Sequence, residues 1–219
     1  MTFRYIDPPF NFNHPNVAKY PPEVTGNHLL RCMADRLGWV SLANRRLLDL
    51  GCGVRFARTI ANLDLDLDCY AGIDVNAEAI RWLQEHLPEP KFRFAHFDAQ
   101  NSMYNPGGKP LLEHATLPFG GERFDAVCMF SVITHQAPDG AMAIFSLIRE
   151  AITTRHLYFT AFIDAKADSY VEADSANPLH QSTYNPGLMR SLLDEAGWSI
   201  ERVYEPSFGQ QTAFVCLPA

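Results

Sequence analysis

The chain has 219 residues, 47% hydrophobic and 20% charged, an ordinary globular balance with enough apolar side chains for one sizeable core. A formal net charge of -7 argues against a nucleic-acid backbone as the main partner, and 12% aromatic residues argue against disorder. No run approaches the length of a membrane span and the first residues lack the apolar stretch of a leader, so a soluble, cytoplasmic protein without a membrane partner is expected.

Residues 1–22 are rich in proline, asparagine and aromatics. Proline recurs too often there for a regular helix, and the aromatics predict an extended arm laid over the body. Thr25 to Trp39 reads as a helix, with Leu29, Leu30, Met33 and Leu37 at helical spacing. From Arg45 onward, strands and helices alternate. "RRLLDLG" is a strand, Arg55–Leu63 a short helix, "CYAGIDV" a strand, and Ala77–Leu87 a helix with Ala79, Ile80, Leu83 and Leu87 on one face. "KFRFAHFD" is a strand, "RFDAVCMFS" another, followed by a helix over Asp139–Ile152 and the strand "HLYFTAFID". A helix over Asn185–Ala196 closes at Gly197, and "SIERVYEP" and "QTAFVCLP" are the last strands, too close together for a helix between them and therefore antiparallel. This alternation predicts an α/β fold, doubly wound, with a mostly parallel seven-stranded sheet and the last strand antiparallel. Residues 99–121 and 165–184 interrupt the alternation, and connections of that length in a compact domain are usually functional or mobile.

The five cysteines, Cys32, Cys52, Cys69, Cys128 and Cys216, are scattered, odd in number and never spaced C-x-x-C. They read as free thiols in a reducing compartment, with no metal signature.

In an open α/β sheet, ligands bind at the carboxyl ends of the strands. Gly51 and Gly53 end the first such strand, where glycines allow a tight turn and close approach of a ligand. Asp74 ends the second strand and suits the two hydroxyls of a ribose; Asp98 ends the third and suits an amine such as that of adenine. A nicotinamide dinucleotide site calls for G-x-G-x-x-G, and the third glycine position here is Phe56. Asp49 adds a carboxylate beside the turn, unfavourable near a pyrophosphate and useful near a cation. The pair points from a dinucleotide towards a positively charged nucleoside.

On "LLDLGCG", "GIDVN", "FDA" and "LPFGGERFDAVCMFSVITHQ", in that order, the chain resembles the class I S-adenosylmethionine-dependent methyltransferases. With "YNPGG" and "SVITH" it is also similar to small bacterial methyltransferases of undefined substrate. The resemblance implies one domain over 1–219: an arm and helix over 1–44, a cofactor-binding core over 45–164, and a substrate loop with the last helix and strand pair over 165–219. It implies S-adenosyl-L-methionine as cofactor and a small-molecule substrate. Asp49, Gly51, Cys52 and Gly53 would hold the methionine portion, with Ser131 beneath it. Asp74 would take the ribose, Val75 pack on the adenine, Asp98 accept from its amine and Ala99 donate to its ring. Arg55 stands where the family often has a third glycine, and is either a solvated helix residue or a guanidinium for the cofactor carboxylate.

His135 is the candidate general base, with packing or closure over the cofactor as its other reading. Tyr104, Asn105, His180 and Tyr184 are substrate-side candidates; His96, His114 and Trp82 are assigned to structure. A cofactor-binding protein without catalysis and a nicotinamide-dependent oxidoreductase are the competing functions.

Overall fold

Every central strand is apolar on both sides because helices cover both faces of one sheet. The computed structural model describes residues 5–9, 20–101, 104–113, 116–172, 181–206 and 211–219. Along the chain run α1 (Pro22–Arg36), β1 (Arg46–Leu50), α2 (Arg55–Asn62), β2 (Cys69–Asp74), α3 (Ala77–His86), β3 (Phe92–His96), β4 (Arg123–Met129), α4 (Pro138–Ala151) and β5 (Thr153–Ile163). Two short strands, β6 (Tyr170–Val171) and β7 (Thr183–Tyr184), precede α5 (Pro186–Glu195), β8 (Trp198–Tyr204) and β9 (Thr212–Pro218).

The long strands lie in the order β3, β2, β1, β4, β5, β9, β8. The first five are parallel, and β9 runs antiparallel to both β5 and β8. The expected sheet and its antiparallel ending are therefore present. The small strands β6 and β7 extend it at the tip of β5, within the segment read as a loop. The order reverses at β1: β2 and β3 lie on one side, β4 and β5 on the other. The cleft that ligands use in such sheets opens at the carboxyl ends of β1 and β4.

Strand residues alternate between two cores. Leu47, Tyr70, Ala126, Cys128 and Tyr158 pack with Leu30 and Met33 of α1, Ile60 of α2 and Leu83 of α3. Leu48, Ile73, Val127 and Phe159 pack with Phe145 and Ile148 of α4 and Leu193 of α5. Trp82 lies half-buried against the first core, stacked on His86. Cys52, Cys69, Cys128 and Cys216 are buried and free.

Helix α1 starts three residues earlier than the pattern predicts. Pro22 stands at the first helical positions, where a missing N–H costs nothing, so the last proline of the arm opens the helix instead of blocking it. Gly38, at φ +69°, follows its end. Asn76 caps α3 by accepting from the Ala79 N–H, and Asn185 caps α5 by accepting from the Gly187 N–H.

Residues 5–9 of the arm form neither helix nor strand, and Ile6 is buried. Asn62 holds it like a strand partner: its Oδ1 accepts from the Ile6 N–H at 2.8 Å and its Nδ2 donates to the Ile6 carbonyl at 3.0 Å. Arg58 adds Asp7 at 2.7 Å and the Tyr5 hydroxyl at 2.7 Å, and pairs with Glu23 of α1. Replacing Asn62 with alanine leaves two buried backbone groups of Ile6 without partners. The expected cost is about 2–3 kcal/mol, a fall in Tm of roughly 5–10 °C in thermal unfolding.

Candidate functional site

The chain turns at the end of β1 because Gly51 and Gly53 take φ of +75° and +47°, a region other residues enter only with strain. The Gly51 and Cys52 N–H groups both donate to the Ile73 carbonyl, at 2.7 and 3.1 Å, which fastens the turn to β2. A side chain at Gly51 would strike Val132 from the segment after β4, whereas the space before the Gly53 Cα is open. The Gly53 N–H donates to Asp74 Oδ2 at 2.7 Å, and the Asn76 N–H donates to Asp74 Oδ1 at 2.8 Å. The Asp74 carboxylate thus joins the first glycine turn to the start of α3. Burial raises its pKa, against the lowering effect of the backbone N–H groups of Asn76, Gly53 and Val75.

Asp49 points the other way, into the core, on the same face of β1 as Leu47. It is 2% exposed. The Tyr70 hydroxyl donates to its Oδ2 at 2.6 Å and the Cys128 thiol donates to its Oδ1 at 3.5 Å. Burial pushes its pKa up to about 6 although both hydrogen bonds pull it down. Arg55 opens α2 and lies half-buried; burial lowers its pKa and the charge of Asp49 works against that. Its guanidinium has no hydrogen bond or ion pair with the described residues. The Cys52 thiol is buried against Gly72, so only its backbone faces the turn.

After β3 the chain closes a small loop. The Asn105 Nδ2 donates to Asp98 Oδ1 and to the Ala99 carbonyl, both at 3.1 Å, and the Lys109 N–H donates to the Asp98 carbonyl at 2.9 Å. Asn105 was expected to meet substrate, but both these bonds are internal and make it a brace for Asp98. A second expectation is corrected too: the Ala99 N–H donates to the Phe97 carbonyl at 2.7 Å and is not free for an adenine ring. Asp98 is exposed beside it. Tyr104, 44% exposed, stands near enough to Asp74 for that charge to add to burial in raising its pKa. Val75 is half-buried at the same edge, and His96 bonds the Val75 carbonyl at 3.1 Å.

After β4, Ser131 takes φ +59° and a short 3-10 turn follows, Ile133–His135. His135 is half-buried at its end. Tyr184 was expected at the substrate, but it is 0% exposed and its hydroxyl donates to the Gln136 carbonyl. It braces the His135 turn from inside the fold. His180 and His114 lie outside the described residues. One residue that sequence reasoning missed stands here: Gln211, at the start of β9, hydrogen-bonded to Ser131 and Thr160. Its only sequence signal is an amide immediately before the last strand.

Residues 48–149 match the methyltransferase domain family. The fold is similar to magnesium protoporphyrin IX methyltransferase from Synechocystis with bound S-adenosylmethionine, at 16% identity and TM-score 0.56 over 90% of this chain and 79% of that one. It is similar to the S-adenosylmethionine-bound amino pentose methyltransferase CalS10 from Micromonospora echinaspora, at 14% identity and TM-score 0.61 over 91% and 92%. It is also similar to the [4+2]-cyclase SpnF, at 17% identity and TM-score 0.56 over 81% and 58%. The fold is that of the class I S-adenosylmethionine-dependent methyltransferases, and residues 48–149 carry the methyltransferase domain. Phe56 is 3% exposed and meets Phe130 edge-on at 4.9 Å, filling the place where a dinucleotide fold needs a glycine.

The Asp49 carboxyl gives the protein a pH signature. Its folded pKa is about 6 against an ordinary value of 3.8. The folded state therefore holds the proton more tightly, and stability falls as pH rises from about 4 to about 6. By linkage the loss is about 3 kcal/mol above pH 6. Asp49→Asn removes that step, which urea denaturation between pH 4.5 and 8 will show as a flatter profile with the variant more stable at pH 8.

Proposed function

We propose that the protein transfers the methyl group of S-adenosylmethionine to an oxygen or nitrogen atom of a small molecule. The observation that carries this reading is the Asp74 carboxylate held between the Gly53 and Asn76 N–H groups. Two such bonds leave a carboxylate with further lone pairs, and those suit the two hydroxyls of a ribose. The open space before Gly53 suits close approach of the amino-acid portion. The unpartnered guanidinium of Arg55 at the opening of α2 suits a carboxylate, and Asp49 behind it adds negative charge beneath a cationic ligand. Asp98, braced by Asn105, suits the adenine amine, with Val75 and Tyr104 as walls.

The cofactor supplies a methyl group already activated on a sulfonium. The chain then has to hold the acceptor in line with that methyl and keep water out, so no strong acid or base is obligatory. A hydroxyl acceptor would need a proton removed, and His135 on the turn after β4 is the candidate for it. The acidic chain and the small-molecule substrates named for the magnesium protoporphyrin IX and amino pentose methyltransferases support a small acceptor. The SpnF likeness supports a second reading, a cofactor-binding protein of other chemistry, since one fold hosts many reactions.

Thermal unfolding with S-adenosylhomocysteine tests the cofactor reading. Ligand at a hundred times its Kd adds about 2.7 kcal/mol, a rise in Tm of roughly 5–10 °C. Asp74→Ala is expected to abolish that rise, and a nicotinamide dinucleotide is expected to give none. A rise with the dinucleotide instead would reverse the assignment.

A further inference from the structure

We propose that Ser131, Thr160 and Gln211 form a hydrogen-bond-donating floor that holds an oxygen atom of the methyl acceptor. This rests on the methyl-transfer reading above and narrows its substrate class to molecules that present a carboxylate, carbonyl or hydroxyl oxygen beside the methyl group.

The three residues come from three different strand ends. Ser131 follows β4, Thr160 lies near the carboxyl end of β5, and Gln211 immediately precedes β9. The Ser131 N–H donates to Thr160 Oγ1 at 3.0 Å. Thr160 Oγ1 donates in turn to Gln211 Oε1 at 2.6 Å, a length that suits O–H···O. That bond orients the amide, and Gln211 Nε2 donates to Ser131 Oγ at 2.8 Å. The circuit closes with one proton left over. The second proton of Gln211 Nε2 has no partner among the described residues. The Ser131 hydroxyl donates to Gln211 Oε1 at 3.2 Å, on the second lone pair of an oxygen that also accepts from Thr160. Ser131 and Gln211 are half-exposed while Thr160 is buried, so the spare amide proton belongs to a residue that reaches the surface.

Two further observations put this floor at the reacting end of the cleft. Val132, next to Ser131, packs against Gly51 in the first glycine turn. Ser131 itself is at φ +59°, costly for a residue with a side chain. That conformation is held from both sides, by the Thr160 bond to its N–H and by the Thr134 hydroxyl donating to its carbonyl at 2.9 Å. Strain fixed this firmly is characteristic of functional positions. An oxygen would receive the free Gln211 N–H, which an ammonium, itself only a donor, cannot use.

The test uses the full chain saturated with S-adenosylhomocysteine and three probes that share one ring: benzoate, phenol and benzylamine. ¹⁵N-edited NMR reads the side-chain amide of Gln211, and titration gives each Kd. Benzoate or phenol is expected to move the Gln211 amide signals and to bind at least about tenfold more tightly than benzylamine. Gln211→Ala and Thr160→Val are expected to weaken the oxygen probe about tenfold, and Thr160→Ser to restore it, with affinity for S-adenosylhomocysteine unchanged throughout. Failure of both oxygen probes to bind, equal binding of benzylamine, or unchanged binding in Gln211→Ala and Thr160→Val would overturn the proposal. The S-adenosylhomocysteine titration of the unaltered protein reports separately: no binding there contradicts the cofactor reading itself.

Discussion

The hydrogen bond from the Gly53 N–H to the Asp74 carboxylate sets the geometry of the whole carboxyl edge. It is charge-assisted and partly shielded from water, conditions under which such a bond is worth about 1.5–3 kcal/mol. The same carboxylate accepts from the start of α3, so one side chain aligns the end of β1, the end of β2 and a helix N-terminus. Gly53 has no side chain to pack and nothing against its Cα; this bond supplies the restraint that packing would supply elsewhere. The turn then stands at a fixed height above the sheet, where Val132 reaches it from β4.

Beneath that turn lies a costly arrangement. Asp49 is enclosed by Tyr70 and Cys128, two weakly acidic donors, instead of a cation. Burial disfavours its charge, and Arg55, whose charge reaches it, makes no ion pair with it. A domain selected for stability alone would have an apolar residue on this face of β1, since its strand neighbours Leu47, Leu48 and Leu50 are all apolar. On the proposed reading, that cost keeps a carboxylate beneath a cationic ligand.

The long elements were legible because both faces of the sheet are covered. Leu47, Leu48 and Leu50 on one strand, and Phe92 and Phe94 on another, carry runs no polar loop would have. Asn185 and Gly197 mark both ends of α5 by their turn chemistry. Asp74 and Asp98 were legible as carboxylates at strand ends, since each falls where an apolar run stops; Asp49 stands inside β1 between Leu48 and Leu50. What stayed hidden depended on contacts distant in sequence. Tyr184 sits in a polar stretch, yet its ring is buried and only its hydroxyl needed a partner. Asn105 reads as a loop amide until the fold folds it back on Asp98. The strands β6 and β7 are two residues each, too short for any periodicity. Gln211 lies 80 residues from Ser131, and only the β5–β9 pairing brings them together.

A crystal structure with S-adenosylhomocysteine tests the central claim most directly. Both ribose hydroxyls should lie within hydrogen-bonding distance of the Asp74 carboxylate while the Gly53 N–H bond to it is kept. The amino-acid end should lie over the Gly51–Gly53 turn, within reach of Arg55. A ligand seated elsewhere on the molecule, or an Asp74 carboxylate that touches no part of it, would contradict the assignment.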